Sequence, residues 1–308
     1  MLRYVLTRIL QAVPVFLGTT FLIYAMVFAM PGDPVAAMFG ERTPNPAQVA
    51  AIRAQYHLDQ PFLVQYLLYL QGIFTGDLGT TFSGQPVTDV FVRAFPVTLK
   101  LVAMAVIIEF VLAVVIGLGS GLRAGRFIDN LTVVVALVLN SIPPFVALFI
   151  AQYCLGIQLG WFPVTVGGDT SLRAMFLPAL VIALTVYVVG MRLMRGSVLE
   201  SLHEDYVRTA YAKGLTSRRV VPVHVARNSL IPVVTNSAAS FGALIAGTTV
   251  TEGIFNIPGV GNVLYRAILL GETSTVVSFV TILTLMYVIV NILVDLLYAV
   301  LDPRIRYV

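Results

Sequence analysis

Charged and polar side chains are scarce in this chain, so the places where they gather are where chemistry is to be sought. The largest gathering runs from Arg195 to Arg227, RGSVLESLHEDYVRTAYAKGLTSRRVVPVHVAR, between long apolar runs at 174–191 and 228–251. Glu200, Glu204 and Asp205 come first; Arg208 and Lys213 follow. Acids early and bases late suit a helix dipole, and the spacing predicts one helix over 198–213. Glu204 and Arg208 are an i,i+4 pair in the favourable order. Val207, Ala210, Tyr211 and Gly214 are expected to share a face. Gly214 ends this helix, and Thr216 or Ser217 caps a second short one, with Pro222 in its first turns. Two short helices about a glycine hinge, lying in water between two membrane-length segments, offer a surface on which a soluble partner acts. The competing reading is a pair of juxtamembrane helices whose charges simply face water, which leaves the hinge without a purpose.

Other reactive side chains are few. Glu109 and Asp295 lie inside apolar runs, where a carboxylate marks either a functional site or a polar contact between helices. Cys154 is the one cysteine, so neither an internal disulfide nor a cysteine metal site is available; it reads as a small buried hydrophobe. The chain has no GxxxxGK[ST] phosphate loop, and GTTVT at 247–251 lacks the lysine. The expectation is a chain with no catalytic residue, no metal and no cofactor of its own.

The elements that carry these residues are apolar. Of 308 residues, 58% are hydrophobic and 11% charged, and the mean hydropathy is +0.91. An ordinary soluble domain is roughly 25% charged. The composition predicts an all-α polytopic membrane protein. The formal net charge of +4 reflects orientation in the bilayer rather than a nucleic-acid partner. A first span is expected at 9–30, behind Arg3 and Arg8 and retained rather than cleaved, and PGDP at 31–34 stops it. Residues 31–97 read as an extracytoplasmic cap. Short helices are expected in it at 46–56, 62–73 and 86–95, the last ending before Pro96, with turn-rich GDLGTTFSG between the second and third. Residues 98–308 form a core with spans at 98–120, 131–159 (kinked at SIPPF), 172–194, 229–250 and 275–298, and with the polar insert at 195–232. Six transmembrane helices place most of the 19 lysines and arginines on one side, with both termini in the cytoplasm.

The segment 205–233, DYVRTAYAKGLTSRRVVPVHVARNSLIPV, resembles the coupling loop of bacterial ABC importer permeases. That pattern has an acidic-Ala-Ala element, then a Gly, then a downstream Pro. Arg208, Thr209 and Ala210, then Gly214, then Pro232 stand at the matching positions. Thr209 replaces the first alanine of the general form, a variant similar to the dipeptide and oligopeptide branch. PGDP at 31–34, LDQP at 58–61, GDLG at 76–79, TEGIFNIPGVG at 251–261 and LLYAVLDPRIR at 296–306 extend the resemblance over nearly the whole chain.

The resemblance implies a type I ABC importer permease fold in the bacterial cytoplasmic membrane. It implies a homologous second permease, two cytoplasmic ATPases that bind ATP and Mg, and an extracytoplasmic solute-binding protein. ATPase coupling would fall on Asp205, Tyr206, Arg208, Thr209, Ala210, Lys213, Gly214, His224, Asn228 and Pro232. The outer gate and binding-protein contact would fall on Glu252, Phe255, Pro258, Gly259 and Gly261, with packing or surface as the alternative role for Glu252. Peptides are the implied solute, and nickel or another small solute the alternative. Two further readings compete: a secondary transporter using Glu109 and Asp295, and a non-transporting scaffold. A requirement for ATP and a soluble ATPase separates these from the importer.

Overall fold

The computed structural model describes residues 2–28, 59–81 and 83–301, with the isolated positions 46, 49 and 53. The expected PGDP stop, the helix at 46–56, Leu58 of LDQP and the tail after Leu301 lie outside these residues, or nearly so. Among the described residues the structure is helical, and Thr80 and Pro86 make an isolated β-bridge. The helices are α1 (Leu2–Phe28), α2 (Phe62–Thr75), α3 (Val87–Gly121), α4 (Phe127–Ser141), α5 (Pro144–Ala151), α6 (Leu172–His203), α7 (Asp205–Ala212), α8 (Ser217–Val220), α9 (Arg227–Gly247), α10 (Thr249–Ile254), α11 (Val260–Leu269) and α12 (Thr273–Leu301). Among the described residues, five segments are long and apolar enough to cross a membrane: Thr7–Met26, Val87–Gly121, Leu172–His203, Ser217–Gly247 and Thr275–Leu296. The pair Phe127–Ser141 and Pro144–Gln158 makes a sixth if counted as one span, but it is bent by 99°. That is far sharper than the kink expected from the two prolines of SIPPF. Pro143 stands at the break in an extended conformation, and α5 restarts at Pro144, where the missing N–H costs nothing.

The chain divides into two compact units, one of Met1–Thr98 with Ala246–Ile289, the other of Leu99–Ile245 with Val290–Val308. In the first unit, α2 is held by aromatic packing and hydroxyls. The Tyr66 hydroxyl lies 2.9 Å from Thr20 Oγ1 and donates to the Leu17 carbonyl at 3.0 Å. The rings of Phe21 and Tyr24 pack against the Tyr66 ring, and Phe62 meets both of them. Tyr69 donates to Thr281 Oγ1 at 2.6 Å, joining α2 to α12. Gly76 closes α2 at φ 80°, a left-handed conformation that suits glycine. Pro96 lies inside α3, so the expected separate helix at 86–95 is the start of a longer one. Phe91 and Ala94 are buried there, and Phe91 meets Phe95 and Phe279. This packing carries the helix through a proline that removes a single hydrogen bond.

In the second unit, α6 begins at Ser171, whose hydroxyl accepts from the Ala174 N–H, as an N-cap serine does. It runs well past the expected end near 194. Met194, Val198 and Ser201 continue its buried stripe while Arg192 and Glu200 are exposed, so an amphipathic pattern extends the helix beyond the apolar run. At the other side of the insert, Ser217–Gly247 is one continuous helical segment. The expected second short helix is therefore the first turn of this membrane-crossing segment. Pro222 sits in a π-helical stretch, Val221–Ala226, between α8 and α9.

The aromatic knot of the first unit generates a prediction. Tyr66→Phe keeps the ring and loses the hydroxyl, costing about 1 kcal/mol, whereas Tyr66→Ala costs about 3–5 kcal/mol. Thermal unfolding in detergent measures both; equal losses would contradict the packing role of the ring.

Candidate functional site

The polar insert is built around α7. The expected single helix over 198–213 is broken at Glu204, whose ψ of 145° is extended. There is no Gly or Pro at the break, and the reason lies in geometry. At about 100° per residue, a straight helix would put Val207 about 180° from Val198. Both are nevertheless fully buried, in one apolar cluster with Ala113, Met194, Ala210, Val220, Val225 and Val233. Reorienting the chain at Glu204 lets both faces reach the same core. Gly214, at φ 79°, then turns the chain back: the Leu215 N–H donates to the Ala210 carbonyl at 3.2 Å and the Gly214 N–H to Tyr211 at 2.9 Å. Leu215 packs on the cluster, which completes a Schellman-type end.

This seating sorts the expected site residues by side. Asp205, Tyr206, Arg208, Thr209, Lys213 and Gly214 are exposed. Ala210, expected among the coupling residues, is buried with Val207 and seats the helix. Tyr211 and Gly214, expected on the same face, are exposed, so the buried stripe is narrower than expected. Arg208 pairs with Asp205 at 3.6 Å rather than with Glu204, and both side chains are exposed, so the pair contributes little. Tyr206, His224 and Asn228 are brought together. Asn228 Nδ2 donates to the Tyr206 hydroxyl at 3.0 Å and to the His224 carbonyl at 3.3 Å, tying the first turn of α7 to the base of α9. Pro232 lies one turn further along α9, half-buried.

A second anchor in this unit was not legible in the sequence. Asp129, buried in the first turn of α4, receives a two-pronged bond from Arg195: Nε to Oδ1 at 2.7 Å and Nη2 to Oδ2 at 2.8 Å. The Ser120 hydroxyl also donates to Oδ1, and the Gly125 N–H to Oδ2. A buried carboxylate with this many donors is fully satisfied. It fastens the end of α3, the following loop and α4 to α6. Asp129 reads in sequence as an ordinary acid in a first turn, and its partner lies 66 residues away.

The other expected site, in the first unit, is an interior knot rather than a contact surface. Glu252, Phe255, Gly259 and Gly261 are buried, and Pro258 is exposed. Of the five residues expected at the outer gate and binding-protein contact, Pro258 is therefore the exposed one. The Glu252 carboxylate accepts from Thr248 Oγ1 at 3.1 Å and from the Asn262 N–H at 3.1 Å, and also from Thr98 and the Gly261 N–H. Thr98 Oγ1 in turn accepts the Val260 N–H at 2.8 Å. A Cβ at Gly259 would collide with Glu252 Oε2 and Thr98 Oγ1, and one at Gly261 would stand 2.6 Å from Thr249 Cα. The glycines therefore let the loop close over the carboxylate. Outside it, Arg266 donates to Asn262 and Asn256.

Among the described residues no group of three or more His, Cys, Asp or Glu side chains could hold a metal ion. The signature of the family "Binding-protein-dependent transport system inner membrane component" matches residues 113–307, and that of its N-terminal region matches residues 1–102. The chain belongs to this family. This inner membrane component is similar throughout its length to named permeases. It is 36% identical to the dipeptide transport system permease protein of Escherichia coli strain K12, over all of this chain and 99% of that one. It is 36% identical to the oligopeptide transport system permease protein of Haemophilus influenzae and 35% identical to the glutathione transport system permease protein of Salmonella typhimurium, each over the whole of both chains. The family and its apolar helices make the protein a multi-pass membrane permease.

Burial raises the Glu252 carboxyl above its usual 4.5, against the opposing effect of its hydrogen bonds. Since its folded pKa exceeds the unfolded one, the protonated form is favoured on folding. That contribution is complete below about pH 4.5 and is lost as pH rises through the folded pKa. Glu252→Gln removes this slope and keeps the acceptor, so its thermal midpoint gains on the wild type between pH 4.5 and 8. Glu252→Ala leaves the loop donors unpaired and loses about 1–3 kcal/mol. A pH-independent difference between wild type and Glu252→Gln would contradict this account.

Proposed function

We propose that the protein is the permease subunit of an ATP-driven importer that carries peptides across the cytoplasmic membrane. The observation that carries the reading is the form of α7. It is a short helix whose apolar side is sunk into the ends of two membrane-crossing segments and whose polar side is free. Such an element transmits a push from a soluble partner directly to the spans that hold it. The relatives support peptides as the solute class, since dipeptides, oligopeptides and glutathione are all peptides. The chain has no phosphate loop, so ATP and Mg belong to two separate ATPases. A homologous second permease and an extracytoplasmic solute-binding protein complete the assembly, and both termini lie in the cytoplasm.

Asp205, Tyr206, Arg208, Thr209 and Lys213 form the outward side that meets the ATPase. Val207 and Ala210 hold the helix down, and Gly214 shapes its end. Asn228 and His224 brace Tyr206 from below, and Pro232 marks where that brace enters the membrane. The Glu252 knot positions a loop of the outer gate, with Pro258 as its exposed point for the binding protein.

Single cysteines test this, introduced into a chain in which Cys154 has been replaced by Ser. In a complex active in ATP-dependent uptake of a labelled dipeptide, Thr209→Cys and Lys213→Cys crosslink to the ATPase and Val207→Cys does not. No crosslink from any outward position in the active complex would overturn the assignment.

A further inference from the structure

Glu109 is fully buried in α3. One oxygen is accounted for: Ser237 of α9 donates to Oε2 at 2.7 Å. The other, Oε1, is buried and has no hydrogen-bond partner, and the same holds for the amide nitrogen of Asn236, the neighbour of Ser237. These two atoms border the same spot. A Cβ built on Gly190 of α6 would stand 2.8 Å from Glu109 Oε1, 3.0 Å from Ala113 Cβ and 3.5 Å from Asn236 Nδ2. Three helices thus meet where α6 has no side chain, and two of them turn an unsatisfied polar atom toward the gap. Leaving either atom unpaired in an apolar interior is costly.

The chemistry of the two atoms selects the ligand. A metal cation or an ammonium group suits the carboxylate oxygen but meets the amide hydrogens of Asn236 head-on. An anion suits the amide and is repelled by the carboxylate. A water molecule accepts from Asn236 Nδ2 and donates to Glu109 Oε1. If Glu109 is protonated, the same water accepts from both. We infer that the crossing of α3, α6 and α9 is a binding site for a single water molecule, held by Glu109 Oε1 and Asn236 Nδ2 beside Gly190. Water of this kind is a structural part of a protein interior, with polar partners on more than one side.

Ser237 is the one polar residue among those lining a cleft of about 510 Å³, whose walls include Val106, Phe110, Val234, Phe241 and Val290. Gly190 therefore acts as the cradle, and Glu109 serves as a hub that ties α3 to α9 directly through Ser237 and meets Asn236 through water. The inference rests on these contacts alone and is independent of the solute carried.

The test is a density map of the assembled complex, at a resolution where internal water is visible elsewhere in the membrane region. The expected result is a peak about 2.8 Å from both Glu109 Oε1 and Asn236 Nδ2. It persists in Glu109→Gln, because a neutral amide still bonds water, and it disappears in Gly190→Ala. In detergent, Gly190→Ala raises the unfolding equilibrium constant about tenfold or more. Gly190→Ser, which carries the same Cβ, raises it less, because its hydroxyl replaces the water as donor and acceptor. A direct Glu109–Asn236 hydrogen bond with no peak would overturn the inference. So would a peak at the cation–oxygen distance of about 2.4 Å that vanishes in Glu109→Gln, or equal effects of Ala and Ser at position 190.

Discussion

An α-helix turns its side chains by a fixed angle per residue, and the arrangement of the polar insert follows from that constraint. Val198 and Val207 would lie on opposite sides of one straight helix, yet both belong to the same buried cluster. The chain resolves the conflict by breaking at Glu204 and laying α7 across the ends of the segments that begin and end the insert. Gly214 is the consequence at the far end, where a left-handed residue is needed to bring Leu215 back onto the cluster. The sidedness of α7 is then set. Its small apolar residues are committed to the fold, and its charged ones are exposed.

Two buried carboxylates supply the other fixed points, and each is satisfied in a way that joins distant stretches of chain. Asp129 gathers donors from Ser120, Gly125 and Arg195. Glu252 gathers them from Thr98, Thr248, Gly261 and Asn262. In an apolar environment an unmet donor or acceptor is expensive, so these clusters specify one arrangement where dispersion among interchangeable aliphatic side chains would leave several. The Arg195 fork gives α6 a second restraint near the point where α6 passes into the insert. A force applied to α7 therefore meets an α6 already bonded to α4 and to the end of α3.

Much of this was legible in the residues. Apolar run lengths placed the membrane-crossing segments, and the acid-then-base order with Gly214 placed a helix and its end in the insert. The errors share one cause, which is that local signals do not carry tertiary packing. Pro96 reads as a stop, but Phe91 and Ala94 are packed and the helix continues. Nothing local to Glu204 announces a break, because the reason for it is a cluster assembled from α3, α6 and α9. TEGIFNIPGVG was recognisable as a motif, while its role as a closed loop over a buried carboxylate needed the knowledge that Thr98 stands beside it. Asp129 and Arg195 were each visible as charges but not as a pair.

Val207 and Ala210 of α7 share one buried cluster with Met194 and Val198 of α6, so α7 is expected to move as one rigid piece with α6. Spin labels at Thr209 on the outward side of α7 and at Arg192 on the exposed side of α6 measure this directly in the reconstituted complex. The account predicts the same narrow distance distribution without nucleotide, with ATP bound and during hydrolysis, while transport proceeds. A distribution that shifts or broadens with nucleotide would show α7 moving independently of α6 and would contradict it.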